Sequence, residues 1–304
     1  MSRRKKGRPV NGWLILDKPF EMTSTQAVGV IKRLFDAQKA GHAGTLDPLA
    51  TGILPIALGE ATKTVSFAVD GIKAYRFTVS WGAETTTDDT EGTIAEESDA
   101  RPTRADIEAC LPQFQGVINQ VPPQFSAIKI NGNRAYDLAR GGESVELPPR
   151  EVHIQSLDIE EMPNANATVF EAVCGKGTYV RSLARDIGRV LGCFGHVTSL
   201  RRTRVGPFGK DGAIQLDELR ALADEGAIDT ALTPVVAALH DLVHLPVSSA
   251  DAARIARGQS VIMRGRDAPV VQGAAYVTNK GQLLALVEMD KGEIKPTRVF
   301  NLGA

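Results

Sequence analysis

Residues 41–59 carry glycine, proline and threonine at such close, irregular intervals that no long helix or strand is expected through them, only a shaped loop. Three glycines, Gly41, Gly44 and Gly52, and one proline, Pro48, surround a single acid, Asp47. Glycine lets a backbone come close to a ligand, and loops held by a rigid scaffold are where ligands meet side chains. The same residues also suit an Asx turn, in which Asp47 bonds only its own backbone. The loop alone leaves both readings open.

Its surroundings read as an α+β chain. Residues 12–17 are a short apolar strand that proline stops at Lys18-Pro19. Thr23 and Gln26 have capping-box spacing, and Ala27, Val28, Ile31, Leu34 and Phe35 continue at helical spacing up to Asp36. Tyr75, Phe77, Val79 and Trp81 alternate with polar residues, the period of a half-buried strand. The acidic residues 84–99 then read as its exposed continuation, a loop. Residues 121–149 hold Pro122-Pro123, Asn131-Gly132, Gly141-Gly142 and Pro148-Pro149, turn chemistry that predicts an extended excursion with one short helix at residues 135–140. From Thr178, predicted as N-cap, Val180, Leu183, Ala184, Ile187, Val190 and Leu191 form one apolar stripe that Gly192 ends. Arg181 in the first turn opposes the helix dipole, so it calls for a carboxylate partner. Beyond Leu245-Pro246, a short helix at residues 250–256 and strands at 275–278, 283–288 and 297–301 predict a small β-rich module.

Charge and composition narrow the function. The 304 residues carry 35 Lys and Arg against 36 Asp and Glu, but unevenly. Residues 84–108 hold nine acidic and two basic residues, whereas residues 176–210 hold eight basic residues against Asp186 alone. Arg3, Arg4, Lys5, Lys6 and Arg8 add a basic tail. Such a local surplus suits a polyanion, although a solvated helix face gives the same pattern. No apolar run approaches the roughly 20 residues of a membrane span, and no hydrophobic segment follows the basic start. Cys110, Cys174 and Cys193 are widely spaced and odd in number, as expected of reduced thiols in the cytoplasm. Residues 59–64 and 175–178 lack the spacing of a phosphate loop, no Gly-x-Gly-x-x-Gly follows a strand, and the histidines are scattered, so neither nucleotide cofactor nor metal is expected.

Longer motifs go further. Gly-His-Ala-Gly-Thr-Leu-Asp-Pro-Leu-Ala-Thr-Gly at 41–52, with Gly59-Glu60-Ala61-Thr62-Lys63 behind it, closely resembles the catalytic motif of the bacterial TruB family of tRNA pseudouridine synthases. Residues 12–19, 175–184 and 200–208 resemble further motifs of that family, and residues 121–140 its inserted thumb. The resemblance runs in order over about residues 10–245. Two positions depart from it: Glu21 stands where a glycine is usual, and Thr86 where an aspartate is common.

The resemblance implies a pseudouridine-synthase fold, with a mixed, largely antiparallel central sheet flanked by helices and loops and a small PUA-like RNA-binding domain. The expected divisions are a disordered tail at 1–9, a catalytic domain at 10–244 with its thumb at about 121–150, and the PUA-like domain at 245–304. It implies isomerisation of uridine at position 55 in the T loop of tRNA by a stand-alone enzyme. No cofactor, guide RNA, obligate protein partner or membrane is expected, and the protein is expected as a monomer. Asp47 is implied as nucleophile at ribose C1′ or base C6, Arg181 as the cation that holds it charged, and Tyr75 as the residue that stacks on the base and relays a proton. His42, Lys63, Tyr179, Leu200 and Lys18 are implied around the extruded nucleotide. Two alternatives are an RNA-guided synthase, against which the thumb argues, and a non-catalytic tRNA-binding or folding module, against which Asp47, Arg181 and Tyr75 together argue.

Overall fold

The period-two stretch at residues 75–81 becomes a central strand of a nine-stranded sheet. The structure, a computed structural model, describes residues 7–126, 128–130, 133–134, 147–263 and 272–303. In chain order, β1 (Gly12–Lys18) leads to α1 (Ser24–Leu34), then β2 (Ala40–His42) and β3 (Ala50–Leu58) flank the Asp47 loop. After α2 (Val65–Asp70) come β4 (Lys73–Trp81), β5 (Ala83–Thr85), β6 (Ile94–Glu97), α3 (Arg104–Cys110) and β7 (Gly116–Gln120). The short pair β8 (Lys129–Ile130) and β9 (Asn133–Arg134) precedes β10 (Arg150–Asn164) and β11 (Ala167–Cys174). Then follow α4 (Val180–Val190), β12 (Gly195–Val205), β13 (Ala213–Ile214), α5 (Leu216–Asp224), β14 (Val243–Pro246), α6 (Ser249–Ile255), β15 (Val261–Ile262), β16 (Gly273–Asn279), β17 (Gln282–Asp290) and β18 (Glu293–Val299).

The large sheet has the order β13-β1-β3-β12-β4-β11-β10-β7, with β2 also on β3. β13 on β1 and β12 on β3 are parallel, and the other pairings are antiparallel, so the sheet is mixed and largely antiparallel as expected. Leu183, Ala184 and Ile187 of α4 are fully buried in one core with Phe77 and Phe170, each large side chain contributing about 1.5–3 kcal/mol. α1 buries Ala27 and Ile31 beside Leu16, Leu54 and Ile56. Thr23 forms the expected capping box with Gln26.

Four expectations need correction. Residues 41–59 are not one loop, because β3 occupies Ala50–Leu58 and is almost wholly buried. Pro55 disguised it, since proline is rare inside a sheet. Its carbonyl accepts from Ala43 N–H at 2.9 Å, and the N and C=O of one strand residue share a side. The ring therefore faces the gap between the β12 pairing at residues 50–52 and the β2 pairing at residues 56–58, where no N–H is needed. Gly52, at φ 98°, is opposite Arg202, whose carbonyl oxygen lies 2.2 Å from where a Cβ would sit. Only glycine lets these two strands meet.

The acidic residues 84–99 are not an exposed loop either. β5 and β6 form a hairpin, and Glu84, Asp88 and Asp89 are buried. Helix α4 begins after Tyr179, not Thr178: the Thr178 hydroxyl donates to Gly175 O at 3.2 Å and caps nothing. Gln120 instead pins the residue before the helix, accepting from Tyr179 N–H at 2.8 Å and donating to its carbonyl at 3.1 Å. Finally, the tail is fixed by residue 8, where Arg8 N–H donates to Asp36 O and its side chain pairs with Asp229. The helix expected at residues 135–140 lies outside the described residues.

The second sheet, β14-β16-β17-β18-β15, with α6 against it, is the expected C-terminal β module, two residues earlier in its start than the sequence suggested. It is joined to the larger unit by apolar packing, since Leu286 and Phe300 share a core with Trp13 and Phe208. The three cysteines are free and buried. Among the described residues no helix is long and apolar enough to cross a membrane.

Candidate active site

The loop between β2 and β3 is held from several sides before Asp47 does anything. Leu46 N–H donates to Ser24 Oγ at 2.9 Å, and that hydroxyl returns a bond to Leu46 O at 3.1 Å. Arg202 donates to Gly44 O at 3.0 Å and Thr45 O at 3.3 Å, and Lys18 Nζ to Pro48 O at 3.2 Å. The carboxylate of Asp47 turns outward to Arg181, Nε to Oδ2 at 2.9 Å, so the loop is more than an Asx turn. It remains 41% exposed, whereas the Arg181 side chain is 5% exposed.

Arg181 thereby finds the carboxylate partner its place in the helix demands. It also donates to Thr87 O at 2.8 Å and Phe125 O at 2.9 Å, and its Nη1 lies 3.5 Å from Asp89 Oδ2. One turn on, Arg185 pairs with Asp88 at 3.0 Å, and another turn on, Arg189 pairs with Glu84 at 2.6 Å. The arginines at i, i+4 and i+8 lie along one side of α4 and dock the acidic segment. The basic surplus at residues 176–210 is therefore not one free cationic face. Arg181, Arg185 and Arg202 are buried, and Arg189, Arg201 and Lys176 pair with Glu84, Asp17 and Asp70. The fourfold spacing was the signal that charge counting overlooked. Burial holds Asp88 up at about 6 despite Arg185. A cleft of about 540 Å³ borders these pairs, but its charged groups already satisfy one another.

A second cavity, of about 270 Å³, gathers the predicted residues. Asp47, Tyr75, Tyr179, Arg181 and Leu200 all line it. Tyr75 projects from β4, and burial pushes its phenol above the ordinary range, partly opposed by the charge of Arg202 and a hydrogen bond from it. Burial likewise raises the Tyr179 phenol. Lys18 lies beneath the loop, fully buried, donating also to Pro19 O at 2.8 Å and Met22 O at 2.7 Å; burial lowers it to about 8 although Asp47 pulls the other way. His42 ends β2, two residues before the cavity-lining Gly44; its Nδ1 is buried without a hydrogen-bond partner among the described residues, and burial and Arg202 lower its pKa. Lys63 lies apart from the cavity lining: it bonds Glu60, donates to Val299 O at 2.8 Å and rests 5.8 Å from the Phe300 ring centre.

Sequence reasoning passed over Arg202, Lys73 and Ser126, which also line the cavity. Among the described residues Lys73 donates to the carbonyls of Val69 and Gly71, and burial lowers it to about 8. Ser126 Oγ is buried without a well-formed hydrogen bond among the described residues. Arg202 stood within a quoted motif, but nothing local separates it from its neighbour Arg201, which pairs with Asp17 at 2.6 Å.

The profile described as TruB family pseudouridylate synthase (N terminal domain) matches residues 32–180, and that described as tRNA pseudouridylate synthase B C-terminal domain matches residues 181–243. A relative from Bradyrhizobium diazoefficiens, named tRNA pseudouridine synthase B, is 61% identical over 98% of this chain and 88% of its own. One of the same name from Brucella anthropi is 55% identical over the whole of both chains. Among solved structures, the Cbf5-Nop10-Gar1 complex contains a chain with a TM-score of 0.75 and 24% identity, covering 99% of this chain and 90% of that one. An H/ACA RNP bound to a substrate RNA containing 2′-deoxyuridine gives 0.74 and 23%, covering 99% and 92%. These two show the fold. With both profiles in order and full-length relatives above half identity, the chain belongs to the TruB family of pseudouridylate synthases.

Proposed function

We propose that this protein isomerises uridine to pseudouridine at position 55 in the T loop of tRNA, alone and without cofactor, with Asp47 as nucleophile. The observation that carries this reading is the Asp47 carboxylate, accessible at the cavity and oriented by a buried guanidinium 2.9 Å away. The relatives named tRNA pseudouridine synthase B supply the substrate class.

The reaction breaks the bond between ribose C1′ and base N1 and rejoins the sugar to C5. Asp47 attacks either ribose C1′ or base C6, and Arg181 keeps the attacking oxygen aimed. The base must first leave its stack, at a cost of a few kcal/mol. Tyr75, Tyr179 and Leu200 offer apolar and aromatic surface that offsets this cost, while Lys18 and His42 support the loop from behind. Lys63 contributes through the contact with the C-terminal sheet. The segment at about residues 121–150 closes on the T loop as a thumb, and the C-terminal β module extends the RNA contact in the manner of a PUA domain. Recognition then rests on RNA shape plus one splayed nucleotide. The enzyme works in the cytoplasm as a monomer.

The test is purified protein with an unmodified tRNA transcript tritiated at uridine C5, with no guide RNA or cofactor. Tritium release, with pseudouridine mapped at position 55, supports the reading. Binding without release would leave a tRNA-binding or folding module, and release only with an added guide RNA would make the enzyme a guided one.

A further inference from the structure

Arg202 is 1% exposed, one of the largest fully buried side chains in the protein. Its guanidinium has no carboxylate within ion-pair distance among the described residues, unlike those of Arg181, Arg185, Arg189 and Arg201. Instead Nε donates to Ile53 O at 2.8 Å, and the terminal nitrogens to Gly44 O and Thr45 O. A guanidinium carries five N–H donors and no acceptor, so three bonds to carbonyls leave two donors over, both on the terminal nitrogens. Arg202 lies directly opposite Tyr75 across β12 and β4, and both line the cavity with Asp47.

A buried cation whose bonded partners are neutral costs free energy unless something nearby uses its charge. Lys73, which also borders the cavity, increases the local positive potential rather than cancelling it. We propose that Arg202 is a positioning residue for Tyr75: it donates to the phenolic oxygen, turns the phenol proton toward the cavity, and holds the phenolate that forms when that proton leaves. This rests on the isomerase reading above and adds a residue and a role to it.

The proton account follows. Burial keeps the resting Tyr75 hydroxyl protonated, so the phenol gives before it takes. As the C1′–N1 bond breaks, its electron pair stays with the base, and Tyr75 delivers its proton to N1. The phenolate now faces Arg202. On the route through C1′, C5 then attacks C1′ and expels the Asp47 carboxylate that had bonded there; the phenolate removes the C5 proton, the C–H electron pair returns to the ring, and the phenol is restored. One proton leaves C5, one arrives at N1, and no oxidant or reductant is required.

A double-mutant cycle read by single-turnover tritium release tests the coupling. Arg202→Met should slow release about a hundredfold in the unsubstituted background, the scale of a proton-transfer contribution, while tRNA affinity changes less than about threefold. In a Tyr75→Phe background the same substitution should cost at least about tenfold less, because no phenolate remains to be held and only the lost contacts to Gly44 and Thr45 are felt. Equal losses in both backgrounds, or a parallel loss of tRNA affinity, would overturn the role of Arg202 while leaving the isomerase reading intact. No release by the unsubstituted protein would overturn that reading and this inference with it. Should Arg202→Met fail to fold, Arg202→Lys is carried through the same cycle. It keeps a charge but not the planar fork, and the same pattern of unequal losses is expected.

Discussion

Arg181 Nε and Asp47 Oδ2 are 2.9 Å apart, yet the guanidinium is sealed in protein and the carboxylate is open to the cavity. The fixed partner is the cation, held by two carbonyls and by Asp89, so it defines where the anion points. Asp47→Asn keeps the shape and removes the charge. Turnover is expected to vanish, while tRNA binding stays within about tenfold, because one carboxylate remote from phosphates adds little to backbone contacts. Tritium release and filter binding on the same preparation check this, and affinity lost along with turnover would contradict the assigned role.

Arg181→Met should act on folding as well as on catalysis. It removes the cation beside the buried Asp89 carboxylate and the donor to the Thr87 carbonyl, a loss of about 3 kcal/mol. Denaturant melts of the two variants separate them: Asp47→Asn should unfold close to the parent midpoint and Arg181→Met well below it. Coincident midpoints would mean that Arg181 is not the anchor.

Lys18 and Lys73 give the stability a distinctive alkaline slope. Burial lowers both from 10.5 to about 8, so between about pH 8 and 10.5 the native state holds fewer protons than the unfolded chain. Their contribution to stability therefore rises with pH through that window, and the penalty of the buried charge is fully present below it. Lys73→Met should flatten the rise, measured as the difference in unfolding free energy between pH 8 and 10. A slope unchanged by the substitution would show that Lys73 titrates normally.

Gly52→Ala should be among the costliest single methyl additions in the protein. The new Cβ would lie 2.2 Å from the Arg202 carbonyl oxygen, at φ 98°, so β3 and β12 must part. A loss of about 3 kcal/mol is expected, together with most of the activity, since Arg202 is what ties the Asp47 loop to β12. Gly177→Ala offers a control: it shares a positive φ of 83° but nothing stands within 4 Å of its Cβ position. Its melting midpoint should fall less than that of Gly52→Ala.

Local patterns revealed the elements whose environment matches their own chemistry. The capping box at Thr23, the alternation at Tyr75 and the stripe from Val180 each set an apolar side against a polar one within a few residues, and each is where it was expected. β3 obeys no alternation because it is buried on both faces, and its proline is excused only by how two other strands end beside it. Arg181 was legible because its helix position was unfavourable without a partner. Arg202 was not, because a strand residue carries no such mismatch and its role depends on Tyr75, 127 positions earlier in the chain. The acidic and basic segments looked like two surfaces, but they are the two halves of one seam.

The link at Lys63 has a mechanical consequence. Lys63 bonds Val299 O, and Glu60 of the same turn accepts from Asn301 N–H at 2.7 Å, so the turn that follows β3 also clasps the end of the C-terminal sheet. β3 begins three residues after Asp47, which makes one short run of chain the yoke between the reacting oxygen and the distal module. A long, stiff ligand resting on that module would be gauged against a set span, like stock in a caliper, and only a substrate of the right reach would bring its nucleotide to the jaw.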